Sequence, residues 1–153
     1  MAKAEVRLLD IAEIEPQVFT RCDITGHQVT RHLLSKELTG TNDLVGDHLT
    51  FPPGFVHHMH RHSNADMVMI PLSGGLLQFL GESSGPVEVS PGQVLVIPRG
   101  NWHEVSNVGT VDSEVLHLFS GVGSAADIGY EAYDRHGGAS GSLQRKKGSS
   151  ACG

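Results

Sequence analysis

The chain has 153 residues, 39% of them hydrophobic, enough for one domain with an enclosed core and too few for two. Its formal net charge of -6 and pI near 5.9 argue against a general nucleic-acid or anionic-membrane surface, since both need a basic excess. Two cysteines, Cys22 and Cys152, lie far apart and supply neither a disulfide framework nor a CxxC motif, so any metal must be held by nitrogen and oxygen. No run approaches the roughly 18 apolar residues of a membrane span, and MAKAEVRLLDIAEIE has acidic residues where a signal peptide needs an apolar core. A cytoplasmic protein acting on a small molecule is expected, with neither nucleic acid nor membrane as partner.

In chain order, VRLLDIAEIEP reads as a short helix or an edge strand ended by Pro16. Short β-type runs follow: VTRHLL, DHLTF, DMVMIPL, LLQFLG, VEVS, QVLVIP, HEVSNV and SEVLHLF. They are separated by PPG, SGG, GESSG, SPG, PRG and NVGTVD, turn sequences at the spacing of an all-β sandwich or small barrel. Residues 1–45 are expected to form N-terminal strands or an arm joining a core barrel over 46–121, with a C-terminal extension at 122–135 in which Ser124 can cap one helical turn. Residues 136–153, RHGGASGSLQRKKGSSACG from Arg135 on, are Gly/Ser-rich and aromatic-free, and cannot bury enough apolar area to offset their ordering entropy. That tail is expected to be disordered.

Two motifs carry the functional reading. The first is Gly54-x5-His60-x-His62-x3-Asp66, with Gly74 after seven further residues; the second is Gly92-x5-Pro98-x-Gly100-x2-His103-x3-Asn107. Together they resemble the two-part signature of the cupin superfamily, G-x5-H-x-H-x3,4-E-x6-G followed by G-x5-P-x-G-x2-H-x3-N. The second motif matches at all its defined positions. The resemblance implies an all-β, single-domain cupin, a double-stranded β-helix or jelly-roll barrel with little helix, which commonly pairs into homodimers.

The spacing also has a logic of its own. Side chains alternate faces along a strand, so His60 and His62 project from one face about 7 Å apart and can converge on one ion. Pro98 and Gly100 turn the chain so that His103 enters on the next strand as a third nitrogen ligand. Three histidines, with or without a carboxylate, leave positions open, as catalytic metals require. One divalent transition metal is expected: zinc first, with iron, nickel or copper also compatible with the donor set.

Asp66 stands where the family usually has Glu. One methylene shorter, it either ligates the metal directly or holds a ligand imidazole, or a water on the metal, from behind. Strand parity places His58 with His60 and His62, making it a fourth ligand or an acid/base, and places His57 on the opposite face as a non-ligand. His58 and Asp66 are thus the candidate catalytic groups. His117, flanked on its own face by Val115 and Phe119, reads as a core histidine; Trp102 reads as packing, and Arg99 as a rim residue or an anion guide.

Beyond the motifs, NADMVMIPLSGGLLQFLGE, QVLVIPRGNWHEVSNVG and VLHLFSGVGSAADIGYE look like the small cupins of bacterial aromatic polyketide biosynthesis, over about residues 45–131. That resemblance implies a metal-dependent cyclase that helps fold a poly-β-ketone delivered by an acyl carrier protein of a polyketide synthase. His60, His62 and His103 would hold the metal that polarises a ketone, and His58 would move protons. The loose basic run Arg145-Lys146-Lys147 would be a contact for the acidic carrier. Two other readings stand beside it: an iron-dependent dioxygenase acting on a small aromatic or dicarbonyl compound, and a non-catalytic metal- or ligand-binding assembly protein.

Overall fold

In SEVLHLFS, residues 113, 115, 117 and 119 alternate with more polar or bulkier outward positions, the pattern of a strand with one face on a core. The computed structural model, which describes residues 4–134 and the backbone of residues 144–145, forms that strand at Ser113–Ser120 and buries Ser113, Val115, His117 and Phe119. The same rule accounts for Asp66–Gly74, whose Met67, Met69 and Pro71 face inward.

The strands in chain order are β1 Gln17–Phe19, β2 Ile24–Thr25, β3 Gln28–Leu34, β4 Leu44–Phe51, β5 Val56–His62, β6 Asp66–Gly74 and β7 Leu77–Gly81. They continue as β8 Val87–Val89, β9 Leu95–Ile97, β10 His103–Asn107, β11 Ser113–Ser120, β12 Tyr130–Asp134 and β13 Gln144–Arg145. A six-stranded sheet runs β1-β3-β4-β11-β6-β9, and a second runs β13-β12-β5-β10-β7-β8 with β2 added beside β5. All pairings are antiparallel. The chain is thus an all-β jelly-roll barrel, and the order β4-β11-β6 shows the crossing of sheets that closes it.

Both sheets feed one core. Leu49, Phe51, Met67, Met69 and Val115 meet Leu77, Val89 and Val105, with Phe55 stacked on Phe51 at 4.3 Å. Each such side chain contributes about 1.5–3 kcal/mol by leaving water. Among the described residues, helix is confined to Lys36–Thr39 and two three-residue 3-10 turns. The first of these, Ile11–Glu13, occupies the segment read as helix or edge strand and is capped by Asp10, whose carboxylate accepts from Ala12 N at 3.0 Å. The second, Ala125–Asp127, follows Ser124 without a side-chain cap from it.

Two motif residues prove to hold turns. The Asn107 amide donates to the carbonyls of Phe51 and Val111 at 2.8 and 2.9 Å and accepts from Gly109 N at 2.9 Å, tying the β4–β5 and β10–β11 connections together. Gly74 has φ of +101°, and a Cβ there would lie 1.7 Å from the Asp112 carbonyl oxygen, so only glycine fits. Of the tail expected to be disordered, residues 144–145 form β13, paired with Tyr133 and Asp134 of β12; the remainder, with Lys146 and Lys147, lies outside the described residues.

Candidate metal centre

The two histidines of β5 and the one opening β10 are drawn together by pairing: His103 and His60 are direct partners across the two strands. His60, His62 and His103 are buried, and each offers a nitrogen within 4.8 Å of the others, a group able to hold a metal ion. His60 Nδ1 donates to the His58 carbonyl at 2.7 Å and His103 Nδ1 to the Asn101 carbonyl at 2.9 Å. A ring nitrogen facing a carbonyl must carry the proton, which leaves the Nε2 lone pair free in the neutral ring. His103 Nε2 is buried without a hydrogen-bond partner.

Burial is also what keeps these rings neutral. It pushes His60 well below the usual imidazole range, and takes His62 down to about 2 and His103 down to about 4, helped by the neighbouring imidazoles. Three neutral nitrogens, two with their second nitrogen already bonded and one orphaned, suit a divalent transition metal. The residues present therefore fit such an ion.

Strand parity fails one residue before the triad. Between the pairs His103↔His60 and Val105↔His57, β10 advances two residues while β5 advances three. That β-bulge inserts an extra residue and exchanges the faces of what precedes it. His57 consequently points inward, its ring stacked on His60 at 3.7 Å, whereas His58 points out, 45% exposed, with Nε2 2.8 Å from Thr25 Oγ1 and Nδ1 3.6 Å from Glu104. The expectation of His58 as a cavity ligand or acid/base is corrected: it does not line the cavity.

Asp66 requires a correction too. Its carboxylate accepts from Arg99 N at 2.9 Å, Nε at 3.2 Å and Nη2 at 3.3 Å, and it is not among the groups that converge with the triad. These bonds hold the Asp66 carboxyl below its usual range. Both side chains are about half exposed, so the pair fastens the start of β6 to the turn after β9 at the rim. In this geometry the Asp66 carboxylate is committed to Arg99 and stands apart from the triad. Substituting Asp66→Asn is expected to leave zinc affinity within about twofold of the native value; a tenfold loss in a chelator competition would restore it to the metal site. An exposed ion pair of this kind contributes little to stability.

His60 and His62 open on a cavity of about 210 Å³ whose lining also includes His57, Tyr130, Arg21, Asp47, His117 and Phe119, with His103 buried behind them. Tyr130 of β12 sits 5.4 Å from His60, ring centre to ring centre. Its hydroxyl donates to Asp23, and His57 Nε2 lies 3.2 Å from the same carboxylate oxygen and 3.3 Å from the Tyr130 hydroxyl. Burial raises the Asp23 carboxyl, but the bonds from His57 and Tyr130 and the charge of Arg21 outweigh it and hold the group well below its usual range. Burial, then the Asp23 charge, pushes the Tyr130 phenol up and keeps it protonated.

His117, read as a core residue, is buried but lines this cavity, with Nε2 lacking a partner and burial lowering it to about 3. Asp47 is held at 2.8 Å by His32. Trp102 does pack, 7% exposed beneath Arg61 at 4.8 Å. No signal in the sequence marks Asp23 or Tyr130, because neither belongs to a spaced motif.

Residues 46–119 match the cupin domain family, the segment that contains the triad and both motifs. That segment is a cupin domain. No curated protein matches it significantly. Among solved structures, this cupin is similar to a predicted oxalate decarboxylase of Thermotoga maritima, with 24% identity and a TM-score of 0.68 over 76% of this chain and all of that one. It is also similar to the polyketide cyclase RemF of Streptomyces resistomycificus, with 16% identity and a TM-score of 0.66 over 76% of this chain and 80% of that one. KdgF of Halomonas sp. has 22% identity and a TM-score of 0.62 over 76% and 94% of the two chains. At such identities the likeness concerns the fold. In this cupin the triad lies inside the matched segment, while Asp23 and Tyr130 reach the site from either side of it. Among the described residues no helix is long and apolar enough to cross a membrane.

Proposed function

We propose that this cupin is a metal-dependent enzyme that promotes aldol closure and dehydration of an aromatic poly-β-ketone. The observation that carries the reading is the adjacency of three neutral histidines, two of them lining the cavity, and the His57–Asp23–Tyr130 cluster, whose His57 ring lies on His60. A divalent metal held by His60, His62 and His103, most simply zinc, supplies a Lewis acid for a ketone oxygen. The chain's own groups then handle protons. His57, neutral by burial, takes the proton leaving the α-carbon, with Asp23 behind it to stabilise the resulting imidazolium. The imidazolium returns that proton to the oxygen as the carbon–carbon bond forms, while Tyr130, held protonated and bonded to Asp23, keeps His57 in place; loss of water follows. Leu49, Phe119 and Ile128 form apolar wall that limits bulk water.

Cavity size favours a particular mode of delivery. About 210 Å³ holds the volume of roughly seven waters at about 30 Å³ each, enough for the reacting end of a polyketone but not for the whole chain. A substrate whose remainder stays outside, tethered to an acyl carrier protein, suits that limit.

The test is to incubate the zinc-loaded protein with a poly-β-ketone thioester under strictly anaerobic conditions. A product ratio shifted at least about tenfold towards one cyclised aromatic, about 1.4 kcal/mol of selectivity, is expected. Activity that appears only with oxygen, accompanied by chain or ring cleavage, would replace this reading by a dioxygenase. An unchanged ratio with and without oxygen would leave a binding role.

A further inference from the structure

Among the three ligands, His60 is held differently from the others. His103 has its Nδ1 bond to Asn101 and lies against Phe79 at 5.9 Å, and His62 meets the edge of Phe119 at 4.9 Å, partners within residues 46–119, with the Tyr130 ring farther off at 6.1 Å from His62. His60 shares the first device, an Nδ1 bond to a main-chain carbonyl. Its face, however, is covered by His57, with ring centres 3.7 Å apart and planes within 15°. The His57 ring is in turn fixed by residues from outside the matched segment, Asp23 before β2 and Tyr130 on β12.

Asp23 is itself pinned to β5. Its carbonyl accepts from His58 N at 2.9 Å, and β2 begins with Ile24 paired to His57. Tyr130 pairs with His62 farther along the same edge of β5, the edge opposite β10. The two flanking segments thus lie end to end along one edge of β5, and their polar side chains meet at His57 Nε2. A stacked ring can hold its neighbour's plane only while its own plane is held, and here the hydrogen bonds to Asp23 and Tyr130 do that.

We propose that Asp23 and Tyr130 are positioning residues for the metal ligand His60, acting through the His57 ring. The metal centre of this chain is then completed by segments flanking its cupin domain. This rests on the triad holding a metal and is independent of which substrate is turned over.

The experiment compares the full chain with Asp23→Asn, Tyr130→Phe, His57→Ala and the double variant Asp23→Asn/His57→Ala. Zinc affinity is measured by chelator competition, and geometry by the visible absorption of the cobalt(II) form. Each single variant is expected to bind zinc about tenfold more weakly, at the lower end of the about 10–100-fold that loss of a ligand's supporting partner costs, and to shift the cobalt band. The double variant is expected to be no weaker than His57→Ala, because the residues act as one unit. Should Asp23→Asn fail to fold by circular dichroism, Tyr130→Phe, which removes a single oxygen, decides alone. Folded variants within about twofold of native affinity overturn the proposal, as do weaker binding with an unchanged cobalt band and additive losses in the double variant. A native protein that takes up neither zinc nor cobalt overturns the metal reading itself, and this inference with it.

Discussion

His103→Ala is expected to abolish zinc binding at any concentration the native protein needs. It removes one of three nitrogens, so the loss should exceed the roughly 100-fold upper range for a supporting partner. His103 is fully buried, its Nδ1 bonded to Asn101 and its Nε2 without a partner. A buried nitrogen left unpaired costs about 1–3 kcal/mol, and the substitution removes that penalty together with the favourable packing of the ring. The metal-free variant should therefore fold, and the difference should appear when zinc is added. At zinc one hundred times Kd the native protein gains about 2.7 kcal/mol, and the variant should gain nothing at that concentration. Thermal melts with and without zinc make the comparison. A variant that keeps the zinc-induced rise in Tm would remove His103 from the ligand set, and cyclisation by such a variant would remove it from the chemistry.

Metal-free protein is expected to lose stability steeply as pH falls below about 6.5. Burial lowers His60, and takes His62 to about 2, His103 to about 4 and His117 to about 3, whereas the unfolded chain titrates each near 6.5. The sign follows directly. Between the folded and unfolded values the unfolded chain binds protons that the folded one refuses, so acid favours unfolding. The contribution is complete above about 6.5 and drains away as pH falls towards the folded values. Each imidazole accounts for about 1.4 kcal/mol per pH unit, and four acting together for up to about 5 kcal/mol per unit. Against a total stability of about 5–15 kcal/mol, that is enough to unfold the metal-free domain near pH 5. Asp47, raised chiefly by burial, opposes the trend with a single group. Denaturant titrations from pH 7.5 to 4.5 test it. A flat profile down to pH 5 would mean that these rings are not held neutral. Zinc should move the decline to lower pH, because metal and proton compete for the same lone pairs.

What the sequence conveyed about this site was local spacing. His60 and His62 are two residues apart on a strand, Pro98 and Gly100 turn the chain before His103, and these relations survive because each spans only a few residues of regular backbone. Asn107 and Gly74 were legible as motif positions, although their duties became plain only when Asn107 was seen to bond Phe51 and Gly74 to abut Asp112. His57 and His58 were misassigned because parity holds only in an unbroken ladder, and a bulge is decided by how β5 pairs with β10. Asp66 followed the family pattern in position but not in contact, since Arg99, thirty-three residues away in the chain, has claimed its carboxylate.

By itself, then, the sequence determined the all-β class and the three histidines able to converge on a metal, because alternation, turn residues and short spacings are properties of consecutive residues, and its resemblance to the cupin signature implied the jelly-roll barrel. Tertiary structure alone decided which histidine faces the cavity beside the triad, that Asp66 closes the rim, and that Asp23 and Tyr130 meet at His57. Those relations join residues up to 107 positions apart, and only the pairing of β2 and β12 with β5 brings them within hydrogen-bonding distance.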